Sequence, residues 1–259
     1  MKIKHVFAMS ALALAIGVPA AHAAEAQTAT KMNKQEIEKI VHDYLVTNPD
    51  VLIEASQALQ KKQQEMLQAQ AKSAISQNAT SLASGQLTIA GNPNGNVTLI
   101  EFFDYQCVHC IKMKSVVNKL ISKNPNLRVV FKEFPIFGKE SEMASRVAIA
   151  AAMQGKYMNI QSALFNGEHH LSEDKIMAIA KKAALNMGKL KTDINSPTVT
   201  ATLEDSRKLA EAIHLMGTPA FIVMSTPNGQ FKPGTESAFI PGAASEETLQ
   251  DLIKKASIS

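Results

Sequence analysis

Apolar residues are distributed along this chain in two different patterns. Between residues 31 and 84 they recur at helical spacings, and this segment contains no glycine. From residue 86 onward, short runs of β-branched and aromatic residues alternate with helical stretches, which is typical of an α/β domain. We therefore expect a helical module over residues 24–85, followed by an α/β domain over residues 86–259.

The helical module is predicted to contain two helices, the first amphipathic and the second long and mostly polar. The thin apolar seam of the second helix favours pairing with another copy of the chain, as in a coiled coil. Folding back onto the next domain and a solvated spacer are the alternatives. The sequence thus predicts a homodimer formed through residues 31–84. The seam consists of Leu52, Ala55, Leu59, Met66 and Ile75.

In the second domain, two strands flank a helix. The run from Val97 to Phe103 is apolar enough to be buried on both faces, and a second strand is expected from Arg128 to Phe134. Strand, helix, strand is the parallel crossover unit. A helical insertion follows at about residues 141–216, and then two more strands and a last helix. The expected architecture is a sheet with helices on both sides.

The first 23 residues have the pattern of a secretory signal peptide. Lys2 and Lys4 precede an apolar run, and the segment ends in Ala21-His22-Ala23. A membrane anchor is the alternative, but the apolar run is shorter than the roughly 20 residues that a spanning helix needs. We therefore expect residues 1–23 to be removed and the chain to be exported to an oxidising compartment.

Composition and charge exclude several classes of protein. The chain has 259 residues, of which 46% are hydrophobic and 19% charged, as in globular proteins rather than disordered or fibrous ones. The formal net charge is +4, and part of that excess lies in the signal peptide. So small an excess makes no footprint for nucleic acid, and we expect no nucleic-acid partner.

The only two cysteines, Cys107 and Cys110, are separated by Val108 and His109 at a strand-to-helix junction. A sulfur at a helix start is favoured as the thiolate by free N–H groups and the helix dipole, and His109 can add a positive or hydrogen-bonding group. Cys107 is thus predicted to be the nucleophile. Cys110, one turn further into the helix, is predicted to resolve the mixed disulfide.

The cysteine pair has two alternative interpretations, a metal site and a structural disulfide. A zinc site would need ligands from His169, His170 or His214, because the chain has no second pair of cysteines. A purely structural disulfide across two residues would restrict almost no chain entropy. Redox chemistry is favoured over both. We expect no metal and no cofactor beyond the redox-active disulfide between Cys107 and Cys110.

Three motifs stand out in the α/β domain: the run from Glu101 to Cys110, the pair Phe134-Pro135, and the run from Gly217 to Phe221. Together they resemble the DsbA family of the thioredoxin superfamily, and within it the Com1-like branch with its N-terminal helical oligomerisation module. The resemblance implies a thioredoxin fold with an inserted all-helical domain. It also implies a periplasmic thiol:disulfide oxidoreductase that acts on exported proteins with cysteines.

The resemblance further implies roles for particular residues. Pro219 is expected to be cis and to face the cysteines. Thr218, Pro219 and Val108 are expected to contact the substrate. Glu101 is expected to be a buried acid that exchanges protons with Cys110. A solvent-facing Glu101 is the alternative, and Lys132 is a candidate cross-strand partner for it.

Two departures from the best-known oxidases favour an isomerase. The residue between Cys107 and His109 is Val108 rather than proline, and Thr218 rather than valine precedes Pro219. Disulfide isomerases of the superfamily often have threonine there and dimerise through an N-terminal module. The resemblance implies a membrane redox partner of the DsbD or DsbB type. The alternatives are a plain disulfide oxidase and, in another class, a holdase chaperone or surface antigen.

Overall fold

The computed structural model describes residues 33–85, 87–167 and 170–258. The predicted signal peptide, residues 1–23, and His169 lie outside these ranges. The chain divides into two compact units between Ala58 and Leu59. Within the described ranges, every helix is too short or too polar to cross a membrane.

The described part of the first unit is helical, as predicted. Helix α1 (Lys34–Thr47) begins at a capping box, in which the Asn33 side chain accepts from the Glu36 N–H and the Glu36 side chain accepts from the Asn33 N–H. Helix α2 (Asp50–Ala83) begins three residues after α1 ends. No residue of α1 is buried, so its apolar stripe faces solvent in the monomer.

The second unit begins within α2, at Leu59, whereas the helical module was predicted to extend to residue 85. The last three turns of α2 bury one face against strand residues such as Ile100, Phe102 and Val130. For this part of α2, the alternative of folding back onto the next domain is therefore correct. The predicted pairing with a second copy is left to the rest of residues 31–84. The buried residues are Ala71, Ile75, Ala79, Leu82 and Ala83.

A five-stranded sheet forms the centre of the second unit, in the order β1-β3-β2-β4-β5. Its central strand β2 is parallel to β3 and antiparallel to β4, while the two edge strands are antiparallel to their neighbours. Every residue of β2 and β3 is buried, as the apolar runs predict. The strands are β1 (Ile89–Gly91), β2 (Val97–Phe103), β3 (Leu127–Glu133), β4 (Ala220–Ser225) and β5 (Ala238–Ile240).

Helices cover both faces of this sheet. Helix α3 (Val108–Lys123) connects β2 to β3 and confirms the predicted parallel crossover unit. The predicted helical insertion corresponds to five helices between β3 and β4. They are α4 (Lys139–Ala152), α5 (Tyr157–Phe165), α6 (Glu173–Lys182), α7 (Met187–Asp193) and α8 (Pro197–Ala212), and α9 (Glu246–Ser257) follows β5.

Two buried cationic side chains of β3 cap the C-terminal end of α2 by donating hydrogen bonds to carbonyl oxygens there. The Arg128 guanidinium donates to the Ala83 carbonyl oxygen at 2.6 Å, and Lys132 Nζ donates to the carbonyl oxygens of Ser81 and Ser84 at 3.2 and 2.8 Å. The last carbonyls of a helix lack partners within the helix and carry partial negative charge, so cations stabilise them. Burial lowers the pKa of Lys132 to about 8, while Asp205 acts in the opposite direction.

Candidate active site

Cys107 lies at the N-terminus of α3, as predicted. Its sulfur is the N-cap of the helix and accepts a hydrogen bond from the Cys110 N–H, with a distance of 3.4 Å between N and Sγ. The Cys107 thiol also donates to the Thr218 carbonyl oxygen at 3.3 Å. Both cysteines are free thiols in the structure and both are buried. The strand-to-helix junction therefore brings the predicted nucleophile to the N-terminus of α3, with the Cys110 N–H directed at its sulfur.

The loop before β4 faces this sulfur. The peptide bond between Thr218 and Pro219 is cis, as the resemblance implies. The hydrogen bond from Cys107 to the Thr218 carbonyl joins two segments that are 111 residues apart in the chain. Pro219 is buried, and β4 begins directly after it, so the sheet holds this loop against the start of α3.

Cys110 is fully buried beneath Cys107. Burial raises the pKa of the Cys110 thiol well above its usual range, whereas the Asp104 backbone and the Thr218 hydroxyl act in the opposite direction. Thr218 Oγ1 is inaccessible to solvent and has no hydrogen-bond partner among the described residues. A Cys110 thiolate would offer this hydroxyl an acceptor, which a Cys110 thiol offers only weakly.

The two residues between the cysteines are exposed. Val108 and His109 both point away from the core, and 52% of Val108 is accessible to solvent. Other large apolar residues of the loops on either side of the redox pair are also exposed. These are Ile136 and Phe137 after β3, and Met216 before the cis-proline loop.

Asp104 anchors the active-site loop, a role that the sequence reasoning missed. Its buried carboxylate accepts from the backbone N–H groups of Gln106, Ile136 and Phe137 and from the Ser141 hydroxyl, at 2.7 to 3.1 Å. One side chain thereby ties the residues before Cys107 to the loop after β3 and to the first turn of α4. The only signal in the sequence is an acidic residue directly after an apolar strand.

Glu101 is buried, so the alternative of a solvent-facing residue is wrong. Burial raises its pKa to about 8, and the nearby Glu133 raises it as well. A small cavity of about 10 Å³ is bounded by Glu101 and by Lys114, which lies one helical turn after Cys110. This space is about the size of one water molecule.

Lys132 is not the partner of Glu101. In the parallel register Lys132 lies opposite Phe102, and its ammonium group reaches the end of α2 on the other face of the sheet. Glu101 lies opposite Phe131 and shares the face that packs on α3 and α5. The candidate ion pair is therefore wrong, because neighbouring strand positions point to opposite faces.

A second buried acid, Glu133, lies on the same side of the sheet as Glu101. The Tyr105 and Tyr157 hydroxyls both donate to Glu133 Oε1, each at 2.8 Å. Burial raises the pKa of Glu133, and the two tyrosine hydrogen bonds act in the opposite direction. The sequence reasoning assigned no role to this residue, although a glutamate at the end of a buried strand is a signal.

Among residues 33–85, 87–167 and 170–258, no group of three or more histidine, cysteine or acidic side chains could hold a metal ion. A cavity of about 550 Å³ lies elsewhere and contains neither cysteine in its lining. It is lined by residues of α2, β3 and α8, including Lys132 and Asp205.

Comparisons with known protein families match both parts of the chain. The model of the DSBA-like thioredoxin domain matches residues 98–254, and that of the copper resistance protein ScsC N-terminal domain matches residues 33–65. The DsbA thiol:disulfide interchange protein of Burkholderia cepacia is 26% identical over 170 residues, which cover 63% of this chain and 77% of that protein.

Solved structures support the same grouping. A thioredoxin-like oxidoreductase from Silicibacter pomeroyi is 34% identical with a TM-score of 0.62, covering 69% of this chain and 97% of that one. BcfH from Salmonella enterica Typhimurium is 30% identical with a TM-score of 0.73, covering 86% and 95%. The first curated relatives are Na(+)/H(+) antiporters such as NhaA of Herminiimonas arsenicoxydans, which is 26% identical over 136 residues covering 52% of this chain and 22% of the antiporter. The chain thus spans about a fifth of the length of those relatives.

Proposed function

The chain belongs to the DSBA-like thioredoxin-domain family, and from that premise we propose that it is a thiol:disulfide oxidoreductase that forms and isomerises disulfide bonds in exported proteins. The observation that carries the proposal is the geometry of Cys107. Its sulfur caps α3, receives the Cys110 N–H and contacts the cis-proline loop. The apolar signal-like segment at the N-terminus supports action in the periplasm.

The proposed exchange proceeds through a mixed disulfide. In oxidation, a substrate thiolate attacks the Cys107 sulfur of the Cys107–Cys110 disulfide, and Cys110 leaves with the electron pair of the broken bond. A second substrate thiolate then displaces Cys107, so the substrate gains a disulfide and the enzyme retains two thiols. In isomerisation, a Cys107 thiolate attacks a wrong substrate disulfide and releases one substrate thiolate. That thiolate attacks another substrate disulfide, and the thiolate freed there displaces Cys107 from the mixed disulfide, so the number of disulfides in the substrate is unchanged.

Glu101 is proposed to exchange the proton of Cys110. Because burial disfavours the Cys110 thiolate, this sulfur must take up a proton as it leaves and lose one before it attacks. Glu101 is buried on β2, beside a space for one water molecule that is also bounded by Lys114, one helical turn after Cys110. Its pKa of about 8 suits proton transfer in both directions. His109 is exposed beside Cys107, where it can support the thiolate.

Substrate contacts are proposed at the rim of the redox centre. Thr218 and Pro219 lie against the Cys107 sulfur, and the exposed side chain of Val108 flanks it. Ile136, Phe137 and Met216 extend this surface with exposed apolar groups. Such a surface fits an unfolded chain with apolar residues near its cysteines, because burying those residues contributes binding energy without requiring a defined sequence.

Isomerase activity is supported by the helical unit and by Thr218. Two catalytic domains held together can enclose a misfolded chain, and we propose that the chain is a homodimer through the exposed part of residues 31–84. A run of large apolar residues on this part of the chain is about half exposed, and a second copy would cover it. The run consists of Ile37, Ile40, Val41, Tyr44, Leu52, Ile53, Leu59, Met66 and Leu67.

A membrane protein of the DsbD or DsbB type is proposed to restore the cysteines after each turnover. An isomerase needs Cys107 reduced, which requires electrons from a DsbD-type partner. An oxidase needs the disulfide, which requires a DsbB-type partner to accept electrons. A measurement of the redox state of Cys107 and Cys110 in cells would therefore distinguish the two partners. Thiols would indicate a DsbD-type partner, and a disulfide would indicate a DsbB-type partner.

Reactivation of scrambled, fully oxidised ribonuclease in a glutathione buffer tests the proposed function. We expect the purified chain from Ala24 onward to restore ribonuclease activity, and the Cys107→Ala variant to have no effect. Failure to reactivate scrambled ribonuclease, together with rapid oxidation of reduced ribonuclease, would indicate a plain oxidase. Absence of both activities in the folded protein would favour the holdase or surface-antigen alternative.

Replacing the Thr218 hydroxyl is expected to slow the resolving step. Thr218→Val removes a hydroxyl group that lowers the pKa of Cys110, so a smaller fraction of Cys110 is in the thiolate form at neutral pH. We expect resolution of a mixed disulfide to slow about tenfold, the loss of one hydrogen bond to a charged group. The measurement is rapid-quench analysis of the mixed disulfide with a cysteine peptide.

The matched control is Thr192→Val, on the exposed surface of α7. This change removes the same hydroxyl far from the redox pair and is expected to leave the rate unchanged. If the Thr218→Val variant resolved mixed disulfides at the wild-type rate, this result would contradict the proposed contribution of the Thr218 hydroxyl to the resolving step.

A further inference from the structure

Two acidic residues lie on the same buried face of neighbouring parallel strands. In the register of β2 and β3, Glu101 is opposite Phe131 and Glu133 is opposite Phe103. Glu133 is two residues after Phe131, so both carboxyl groups point to the face covered by α3 and α5. Glu101 is 3% exposed and Glu133 is 1% exposed. Burying two acids this close together is costly unless one of them keeps its proton.

The surroundings of the two acids differ. Glu133 receives two hydrogen bonds on Oε1, from Tyr105 in the loop after β2 and from Tyr157 on α5. Among the described residues, none donates a hydrogen bond to the Glu101 carboxyl group. Hydrogen bonds from hydroxyl groups stabilise a carboxylate over a carboxylic acid. The negative charge of the pair therefore belongs on Glu133, and the proton on Glu101.

Aromatic rings seal this arrangement from solvent. Tyr105 contacts Phe103 and Phe165 with ring centroids 5.1 and 4.9 Å apart, and Tyr157 contacts Phe131 at 5.9 Å. The ionisable groups that face Glu133 are Tyr105, Tyr157, Glu101 and Asp104. Those that face Glu101 are Glu133, Tyr157 and, across the small cavity, Lys114. In this apolar setting a charge on Glu133 acts strongly on Glu101.

We propose that Glu133 is a positioning residue of the redox centre, which acts through Glu101: when the buried pair carries a single negative charge, Glu133 holds that charge and Glu101 keeps the proton. The proposal rests on the proposed function, because it concerns the acid that serves Cys110. Tyr105 and Tyr157 are the groups that fix the charge on Glu133. Within the described structure, these three residues make no hydrogen bond to either cysteine sulfur.

The charge on Glu133 has a direct consequence for the proton transfer. When a substrate thiolate opens the Cys107–Cys110 disulfide, Cys110 receives the electron pair, and the Glu101 carboxylic acid supplies the proton that makes it a thiol. Glu101 is then a carboxylate beside the Glu133 carboxylate. Their repulsion favours return of a proton to Glu101, and the proton that returns is the one Cys110 releases when it attacks the mixed disulfide. Glu133 thus favours proton transfer in the direction that resolution requires.

The test is the titration of Glu101 in the reduced full chain. Carbon-13 NMR of the glutamate carboxyl groups, assigned with Glu101→Gln, follows its ionisation directly. In Glu133→Gln the neighbouring negative charge is absent, so we expect the Glu101 transition to move to lower pH by about one unit. The basic limb of the pH profile for exchange is expected to move by the same amount. The matched control, Glu204→Gln on the exposed side of α8, is expected to move neither.

A second variant covers the case in which Glu133→Gln does not fold. Tyr157→Phe removes one of the two donors to Glu133, which makes the Glu133 charge less favourable and is expected to shift Glu101 in the same direction by a smaller amount. Folded variants whose Glu101 titration matches the wild type, or moves to higher pH, would overturn the proposal. Failure of the proposed function gives a different result, because the wild-type protein itself would then show no exchange activity.

Discussion

Cys107→Ala and Cys110→Ala are expected to fail in opposite ways. Cys107→Ala removes the sulfur that meets substrate, so disulfide exchange should be lost completely while the oligomeric state is unchanged. Cys110→Ala keeps the nucleophile but lacks the thiol that resolves the mixed disulfide. It should therefore accumulate covalent complexes with substrates, visible as bands on non-reducing gels that disappear on reduction.

The asymmetry follows from the positions of the two sulfur atoms. Cys107 caps α3 and contacts the cis-proline loop, whereas Cys110 is completely buried. Matched alanine changes at the two positions alter the same type of residue three positions apart, which makes each the control for the other. Equal trapping by both variants would show that either sulfur can meet substrate. If Cys107→Ala catalysed exchange at the wild-type rate, this result would contradict the proposed enzymatic activity.

Two truncations of the chain are expected to behave very differently. A chain that begins at Leu59 keeps the whole second unit, so it should fold, remain monomeric and reduce insulin. A chain that begins at Leu87 also loses the part of α2 that covers the sheet. It should be largely unfolded at room temperature, because Ile100, Phe102 and Val130 lose their covering helix.

The size of this effect follows from the core residues that are lost. Ile75 and Leu82 are at most 1% exposed, and losing a buried side chain of this size costs about 2 to 5 kcal/mol. Two such losses approach the total stability of many domains, which is about 5 to 15 kcal/mol. Urea unfolding measures the stability, and light scattering measures the mass.

The full-length double variant Ile75→Ala with Leu82→Ala is the control that separates packing from chain length. It should be destabilised by an amount comparable to the loss on truncation and should still form the oligomer. A chain from Leu87 that unfolds in urea like the chain from Leu59 would contradict the assignment of this helix to the core. A chain from Leu59 that remains as oligomeric as the full chain would contradict the part of the proposed dimer contact that lies in residues 37–53.

Much of the fold and the redox pair could be predicted from local patterns. The run Val97–Phe103 is a strand because its residues are β-branched or aromatic, and Cys107 caps a helix because it stands where that strand ends and a helical spacing begins. The cis peptide at Pro219 was predicted from motif resemblance alone. These features depend on residues close together in the chain or on motifs specific to a family.

The second half of α2 could not be assigned in this way. Its buried face contains three alanines, which add little to an apolar pattern, so the helix looks polar from its sequence. Small residues are buried there because α2 lies close to the strands, and that closeness depends on partners far along the chain. The hydrogen bonds from Arg128 and Lys132 to the end of α2 could not be predicted either, because the two residues lie about 45 residues or more along the chain from the carbonyl groups that they contact.

The partner of Glu101 was missed for a related reason. Whether Lys132 or Glu133 shares the face of Glu101 depends on how β3 is aligned with β2, and sequence alone does not give that alignment. The observed register places Glu133 beside Glu101 and directs Lys132 to the end of α2. A pairing argued from opposite charge alone therefore selected the wrong neighbour.

Neighbouring residues of β3 with opposite charges have a consequence for the accuracy of folding. If β3 slipped by one residue, Lys132 would enter the aromatic pocket of Tyr105 and Tyr157, and Glu133 would face the partial negative charge at the end of α2. Both misplaced charges would be buried among the wrong partners, and each error would be costly by itself. Both faces of β3 therefore disfavour a one-residue shift, so these two charges help to select the correct alignment of β3 with β2 during folding.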